Sequence, residues 1–132
     1  MPDKYSQSPL TKKLAVKPKM RMVALTPPQR YREWLGDLPE GATYTEEFEG
    51  MFDWIQVFVK TKAELERWLP EIKSRLQPGS ILWISFPRAK KATDLNRTSL
   101  MELPERYSLQ VVANAVVNEE WTAYRVKRLE DR

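Results

Sequence analysis

Two apolar segments on either side of an amphipathic helix constrain the fold of this chain more than any other feature. Residues 53–59 and 80–87 are almost continuously apolar, which is typical of strands buried on both faces of a parallel sheet. Between them, Thr61 and Glu64 have the spacing of a helix capping box. This strand–helix–strand unit predicts an α/β domain. The helix carries its apolar residues on one face, at Leu65, Trp68, Leu69, Ile72 and Leu76.

The remaining patterns extend this unit in both directions. Ser8 is a suitable cap for a short helix, and Thr26 with Gln29 has capping-box spacing before another. The linker 118–120 is so short that the last two strands are expected to form an antiparallel hairpin. The predicted strands lie at about 21–26, 42–46, 53–59, 80–87, 108–117 and 121–129, and the predicted helices at 8–14, 28–35, 61–76 and from Asp94 or Asn96 to about Arg106.

Strand–helix alternation followed by a hairpin predicts a three-layer α/β sandwich around one mostly parallel sheet. The last strand is expected to run antiparallel, between the strand that ends at Pro87 and the strand around Val112. With 132 residues, the chain is expected to form a single domain over 1–132, with residues 1–20 as an N-terminal basic helix and turn. The tryptophans predicted to pack in the core are Trp34, Trp54, Trp68 and Trp83.

The composition removes several kinds of chemistry. The chain has no cysteine and no histidine, so it has no thiolate nucleophile, no Ser–His pair and none of the commonest metal ligands. No metal site is therefore expected. The first five residues lack an apolar signal core, and no segment approaches the roughly 20 apolar residues of a membrane helix. These features predict a soluble, cytoplasmic protein that does not contact a membrane.

The basic residues are concentrated in two patches. Residues 1–21 hold six cations against Asp3, a charge of +5, and residues 88–97 hold four against Asp94, a charge of +3. Because the whole chain carries +4, the rest of it carries −4. Such patches attract phosphates or nucleic acid. For the N-terminal patch, solvated lysines that keep a small domain soluble are the simpler interpretation.

The order of these elements resembles the class I S-adenosylmethionine-dependent methyltransferase fold, a Rossmann-like fold, reduced to its core. This resemblance rests on Phe52 and Asp53 at the head of the middle strand, the Leu-Gln-Pro-Gly segment 76–79, the strand 81–86 and the closing hairpin. Nearly the whole chain is also similar to a bacterial family of small proteins of unknown function that have this reduced fold. Both resemblances imply a fold and no established activity. The second rests on Pro9, Leu10, Lys12, Lys13, Leu14, Lys17, Pro18, Met20, Arg21, Leu38, Pro39, Gly41, Phe52, Asp53, Phe58, Pro87, Lys91, Thr93, Asp94, Leu95, Arg97, Trp121, Thr122 and Arg125.

The resemblance implies where a cofactor would bind, and the chain departs from the family there. In methyltransferases a glycine-rich loop follows the first strand, whereas residues 26–28 here are Thr-Pro-Pro. Proline fixes φ and has no backbone N–H to offer a ligand. The family's second strand ends in an acidic residue that binds the ribose, and Glu46 and Glu47 lie at that point. No cofactor is therefore expected to bind in the standard pose.

A candidate ligand site lies at the carboxyl ends of the strands, where open α/β sheets bind their ligands. Cations, hydroxyls and a helix N-terminus meet at this edge, and together they suit a phosphate or a carboxylate. The alternative is a solvated basic loop in which Asp94 only caps its own helix. No catalytic residue is predicted, although Asp94 with Lys91 could perform acid–base chemistry. The candidate residues are Thr26, Lys60, Thr61, Arg88, Lys90, Lys91, Thr93, Asp94 and Arg97.

Three classes of function remain open. The missing glycine loop and missing histidine favour a non-catalytic methyltransferase-like module that binds a small anionic ligand or a protein partner. The second class is an enzyme that holds a cofactor in a non-standard pose at the carboxyl edge of the sheet. The third is nucleic-acid binding, which is disfavoured because the aromatic residues are predicted to be core rather than interleaved with the basic ones. The sequence predicts neither the ligand nor the oligomeric state.

Overall fold

The sheet is built around the two apolar segments, which form neighbouring parallel strands. The structure is a computed structural model that describes residues 8–131, so the part of the predicted N-terminal element that falls on residues 1–7 lies outside it. In chain order the elements are α1 (Pro9–Lys13), β1 (Arg21–Leu25), α2 (Tyr31–Leu35), β2 (Thr43–Thr45), β3 (Phe52–Phe58), α3 (Lys62–Ser74), β4 (Leu76–Pro87), a 3-10 turn (Lys90–Ala92), α4 (Arg97–Glu105), β5 (Leu109–Val116) and β6 (Trp121–Arg128).

The six strands are ordered β2-β1-β3-β4-β6-β5. β2, β1, β3 and β4 are parallel to one another, and β6 is antiparallel to both β4 and β5. The last strand is therefore inserted between β4 and β5. The predicted mostly parallel sheet with a C-terminal antiparallel hairpin is confirmed.

Helices cover both faces of the sheet, which confirms the predicted three layers. On one face α3 and α4 bury Leu65, Leu69 and Leu100 against the central strands. On the other face α1 and α2 form a second core with the sheet, and Tyr31 and Leu35 of α2 are fully buried there. Within the described residues, no helix is long and apolar enough to cross a membrane.

The segment after α1 is fixed to the sheet by two tryptophans. The indole N–H of Trp54 on β3 donates to the carbonyl of Leu14 at 2.9 Å, and that of Trp83 on β4 donates to the same oxygen at 2.7 Å. All three residues are buried. Lys13, the last residue of α1, adds a third contact with the sheet, since its Nζ donates to the carbonyl of Val116 on β5 at 3.2 Å. The N-terminal basic segment from residue 8 onward is thus a cover on the sheet.

A chain of buried polar side chains crosses the second core. The hydroxyl of Tyr31 donates to Oε1 of Gln56, and Nε2 of Gln56 donates to Oγ of Ser85 at 2.7 Å. Gln56 and Ser85 are completely buried, and Tyr31 is almost so. Burial raises the pKa of Tyr31 well above its usual value, so its hydroxyl remains a proton donor. The three groups satisfy one another in an otherwise apolar layer.

Two irregularities in the ladders change which residues face which layer. Along β5, Val111 pairs with Val126 and Ala113 pairs with Arg125, which leaves Val112 as an extra residue. Between the Phe52–Leu76 and Trp54–Ile81 pairs, β4 contains three more residues than β3. These additional residues of β4 include the turn predicted at 77–79. The turn therefore lies inside β4 rather than between a helix and a strand.

Candidate functional site

The predicted site residues lie around the carboxyl ends of β3 and β4, which meet at one edge of the sheet. The loop that follows β4 is fixed to the loop that follows β3, because Oγ1 of Thr93 donates to the carbonyl of Lys60 at 2.6 Å. The same Oγ1 accepts a hydrogen bond from the N–H of Leu95 at 3.0 Å. Thr93 therefore holds the basic loop in a defined position beside the start of α3.

Carboxylates already occupy the N-terminus of α3. Oδ1 of Asp94 accepts from the N–H of Lys62 at 2.7 Å, and Oε1 of Glu64 accepts from the N–H of Lys60 at 3.0 Å. Thr61 caps the helix as predicted, since its Oγ1 accepts from the N–H of Glu64 at 3.1 Å. Two carboxylates thus bind the free N–H groups that an anionic ligand would otherwise use.

Asp94 does not cap the helix that follows it, so the interpretation that it does is wrong. Asn96 caps α4: its Oδ1 accepts from the N–H of Ser99 at 2.9 Å, and Oγ of Ser99 accepts from the N–H of Asn96 at 3.0 Å. Asp94 instead joins the basic loop to α3. A carboxylate bound in this way is less available as an acid–base partner for Lys91.

A basic groove of about 590 Å³ lies between the end of β4 and the start of α4. Among its lining residues, Arg88, Lys90 and Arg97 are cations and Asp94 is the acid. Arg88 is anchored by its Nη1, which donates to the carbonyl of Asn118 at 3.2 Å. The three cations are exposed, so the groove can meet a ligand from solvent without a conformational change. The basic groove is lined by Phe86, Pro87, Arg88, Lys90, Thr93, Asp94, Leu95, Asn96 and Arg97.

Four of the nine predicted residues do not line the basic groove. Lys91 is exposed in the 3-10 turn, and Thr61 is used as the cap of α3. Thr26 lines a separate cleft of about 380 Å³ beside α3. Lys60 lines a third cleft of about 310 Å³, named here the Trp121 pocket. The Trp121 pocket is lined by Lys60, Pro87, Ala89, Ala92, Glu119, Glu120 and Trp121.

The Trp121 pocket includes residues 119–121, which no single sequence pattern assigns to this edge. Trp121 is nearly buried and packs edge to face on Phe58, with ring centroids 5.1 Å apart. Trp121 is the first residue of β6. Because β6 runs antiparallel to β4, it starts beside the end of β4, where Pro87 pairs with Trp121. The predicted hairpin therefore contained the signal that brings residues 119–121 to this edge.

The segment after β1 has an unusual backbone. Thr26 has φ +48°, in the left-handed region, and its Oγ1 donates to the carbonyl of Phe58 at 2.6 Å. Helix α2 starts only at Tyr31, and its N-cap residue Arg30 is also left-handed and makes no side-chain capping bond. The predicted helix start at Pro28 and the predicted capping box of Thr26 are therefore wrong.

At the end of β2, Glu46 is exposed and its Oε2 accepts from the hydroxyl of Tyr44 at 2.7 Å. Burial, with a smaller contribution from this hydrogen bond to Glu46, raises the pKa of Tyr44, so the hydroxyl keeps its proton. Within residues 8–131, no three carboxylate side chains come together as they would around a metal ion.

Several solved structures with a similar fold are methyltransferases. A TehB-like SAM-dependent methyltransferase from Corynebacterium glutamicum has a TM-score of 0.59 and 15% identity, covering 96% of this chain and 89% of that one. Magnesium protoporphyrin IX methyltransferase from Synechocystis PCC 6803, solved with bound SAH, has a TM-score of 0.61 and 7% identity, covering 90% and 81%. Fibrillarin, a pre-rRNA processing protein from Methanococcus jannaschii, has a TM-score of 0.63 and 10% identity, covering 84% and 67%.

This chain has a Rossmann-like methyltransferase fold. At these identities the likeness shows the fold alone. No protein-family model matches the sequence, and no curated protein matches it.

The residues after β1 do not fit S-adenosylmethionine in the pose that the fold implies. A phosphate- or cofactor-binding turn offers a row of backbone N–H groups and allows the ligand to approach the backbone closely. Pro27 and Pro28 have no N–H to offer. The hydroxyl of Thr26 is turned toward the carbonyl of Phe58 on the neighbouring strand. The methyltransferase-like fold is therefore present without the local chemistry that holds the cofactor.

Proposed function

We propose that this chain is a non-catalytic methyltransferase-like module that binds a small anionic ligand in the basic groove. The observation that carries the proposal is the balance of charge in that groove. Three cations, Arg88, Lys90 and Arg97, line it, and the carboxylate of its acid, Asp94, is bound to the N–H of Lys62. A groove of this volume is in the usual range for small-ligand sites, about 300–1,000 Å³.

The geometry around the basic groove supports binding more than catalysis. An acid–base catalyst needs a titratable group that faces the reacting atoms with a pKa suited to proton transfer. The carboxylate of Asp94 accepts a hydrogen bond from the first residue of α3, and the neighbouring Thr93 fixes the loop that carries Asp94. The three cations can orient a phosphate or carboxylate and stabilise its charge. A protein partner that presents an acidic side chain would use the same cations.

Removing Lys90 is expected to weaken anion binding, whereas removing Lys91 is not. Lys90 lines the basic groove and Lys91 does not, although the two are adjacent and both exposed. With pyrophosphate as the probe at low ionic strength, Lys90→Ala and Arg97→Ala are each expected to raise the dissociation constant about fivefold. The reason is that a pair of unit charges about 4 Å apart in water attract each other by about 1 kcal/mol. Isothermal titration calorimetry measures the difference.

Lys91→Ala is the matched control, since it removes the same charge from the same turn. The melting temperature is expected to be unchanged in all three variants, because exposed charges contribute little to stability. Pyrophosphate that binds all three variants like the wild type would show that the basic groove is only solvated surface. Equal weakening by Lys90→Ala and Lys91→Ala would indicate attraction to the net charge rather than a site.

An enzyme with a non-standard cofactor pose is the alternative, and the Trp121 pocket is the observation that favours it. This pocket adjoins the basic groove at Pro87 and combines an apolar wall with Lys60 and Glu119. Such a lining suits a ligand with an apolar body and charged groups. The pocket lies at the carboxyl edge, and its lining includes no residue of the segment after β1, where the cofactor would lie in the standard pose.

S-adenosylmethionine is expected to show no binding with a dissociation constant below about 100 μM. The reason is the loss of backbone donors at Pro27 and Pro28. Calorimetry with the wild type and with Glu46→Ala tests this. Micromolar binding that Glu46→Ala abolishes would contradict the prediction and restore the standard pose. Micromolar binding that Lys60→Ala abolishes instead would favour the enzyme alternative at the Trp121 pocket.

A further inference from the structure

β5 is an edge strand of the sheet, and apolar side chains are exposed along it. β6 is its partner on one side, and no described strand pairs with its other side. Val112 is 45% exposed and Val116 is 43% exposed. Met101 on α4, 38% exposed, lines with Val112 and Arg97 a groove of about 290 Å³ between the helix and the strand. Of the four large apolar side chains exposed in residues 8–131, three lie here and the fourth, Met51, lies elsewhere.

The backbone of β5 directs hydrogen-bonding groups away from the sheet. The N–H of Val117 donates to the carbonyl of Trp121 at 2.9 Å, which fixes which residues face β6. Because residues alternate in an antiparallel ladder, Ala113 and Ala115 also face β6, and Asn114 and Val116 face the open side. Lys13 donates to the carbonyl of Val116, which agrees with the outward direction of that carbonyl. This contact marks the end of the free edge.

The charge of this edge distinguishes it from the rest of the surface. Residues 107–118 contain no Asp, Glu, Lys or Arg, whereas these residues make up 30% of the chain. Natural edge strands are usually protected by charges, proline, bulges or short length. At the other edge, β2 has three residues and is followed by Glu46 and Glu47. β5 has eight residues, and its only such features are Lys13 at its end and the bulge at Val112.

We propose that β5 pairs antiparallel with β5 of a second copy of this chain across a two-fold axis. The contact would continue the sheet into twelve strands, six from each copy, and would cover Met101 and Val112 of both. A second copy fits because a two-fold axis sets one uncharged strand against an identical one, so that no like charges oppose each other along the paired strands. A strongly charged partner would find no counter-charge on the strand itself. The proposal does not depend on a ligand in the basic groove.

Sedimentation velocity of the full chain at about 1–200 μM tests this contact. The wild type is expected to sediment as a dimer, at twice the chain mass of 15.6 kDa. Met101→Lys is expected to raise the dimer dissociation constant at least about 100-fold, because it adds a cation from each copy to a contact that already lies beside Arg97. Met51→Lys, the same substitution at a comparably exposed methionine outside this edge, is expected to leave the constant unchanged.

Asn114→Pro is a second and independent variant. It removes an N–H that faces the open side, so the ladder with β6 is retained while the pairing between copies is lost. Circular dichroism and thermal unfolding verify that each variant is folded, and Val116→Lys takes the place of any variant that is not. A wild type that stays monomeric at about 200 μM overturns the proposal, as do open-ended polymers. Equal effects of Met101→Lys and Met51→Lys also overturn it.

Discussion

Replacing Trp54 and Trp83 together by phenylalanine is expected to destabilise the protein by more than the two single changes combined. In each single variant the carbonyl of Leu14 keeps one indole donor. In the double variant this buried carbonyl has lost both, at a cost of about 1–3 kcal/mol. With the lost ring volume added, the free energy of unfolding is expected to fall by about 4 kcal/mol in total, a large fraction of a typical domain's stability.

Urea unfolding of the wild type, the two single variants and the double variant gives the coupling energy between the tryptophans. Trp34→Phe with Trp68→Phe is the control pair. These residues are half-buried and lie on opposite faces of the sheet, so their effects are expected to add. Additive effects of Trp54 and Trp83 would show that their shared acceptor contributes nothing to stability.

Gln56→Leu is expected to lower the free energy of unfolding by about 3 kcal/mol. The substitution leaves the hydroxyls of Tyr31 and Ser85 without their partner inside a closed core, and each unsatisfied group costs about 1–3 kcal/mol. Replacing all three residues by apolar ones, with Tyr31→Phe and Ser85→Ala added, is expected to recover most of the loss. Thermal or urea unfolding of the single and triple variants measures the recovery.

The same hydroxyl gives a test of pH dependence. Burial raises the pKa of Tyr31, so the folded chain keeps this proton where the unfolded chain has lost it. Stability from this group is therefore complete below the ordinary tyrosine pKa of about 10 and is lost as the pH rises above it. Tyr31→Phe is expected to reduce that alkaline loss. A triple variant less stable than Gln56→Leu, or an alkaline loss unaffected by Tyr31→Phe, would contradict this view of the network.

The central parallel strands and the inserted last strand were predictable, because they follow from patterns within short segments. Long apolar runs identify β3 and β4, and the three-residue link 118–120 identifies the hairpin. The errors concern side chains that could bond locally but bond at a distance. The local spacing predicts that Thr26 caps the next helix and allows Asp94 to cap α4, and neither does. Their partners are the carbonyl of Phe58 and the N–H of Lys62, each 32 residues away in sequence.

The two clefts at the carboxyl edge also differ in how far apart in sequence their lining residues are. The cations of the basic groove are clustered within residues 88–97, so the charge pattern alone indicated them. The Trp121 pocket joins Lys60, Pro87 and Trp121, which are far apart in sequence and meet only once the hairpin is in place. The sequence indicates which cations lie at this edge. It does not indicate which cleft each cation lines, because that depends on contacts between helices and strands.

The contacts of the N-terminal segment impose an order on folding during synthesis. Leu14 is bound by Trp54 and Trp83, 40 and 69 residues later, and Lys13 is bound to a carbonyl 103 residues later. This segment therefore completes its contacts only after the residues up to Val116 have been synthesised. β6 fills the gap between β4 and β5, so the sheet closes only after the final strand emerges. Until then the edge of β4 is unpaired, and an unpaired strand edge is a feature of partly folded chains that favours aggregation.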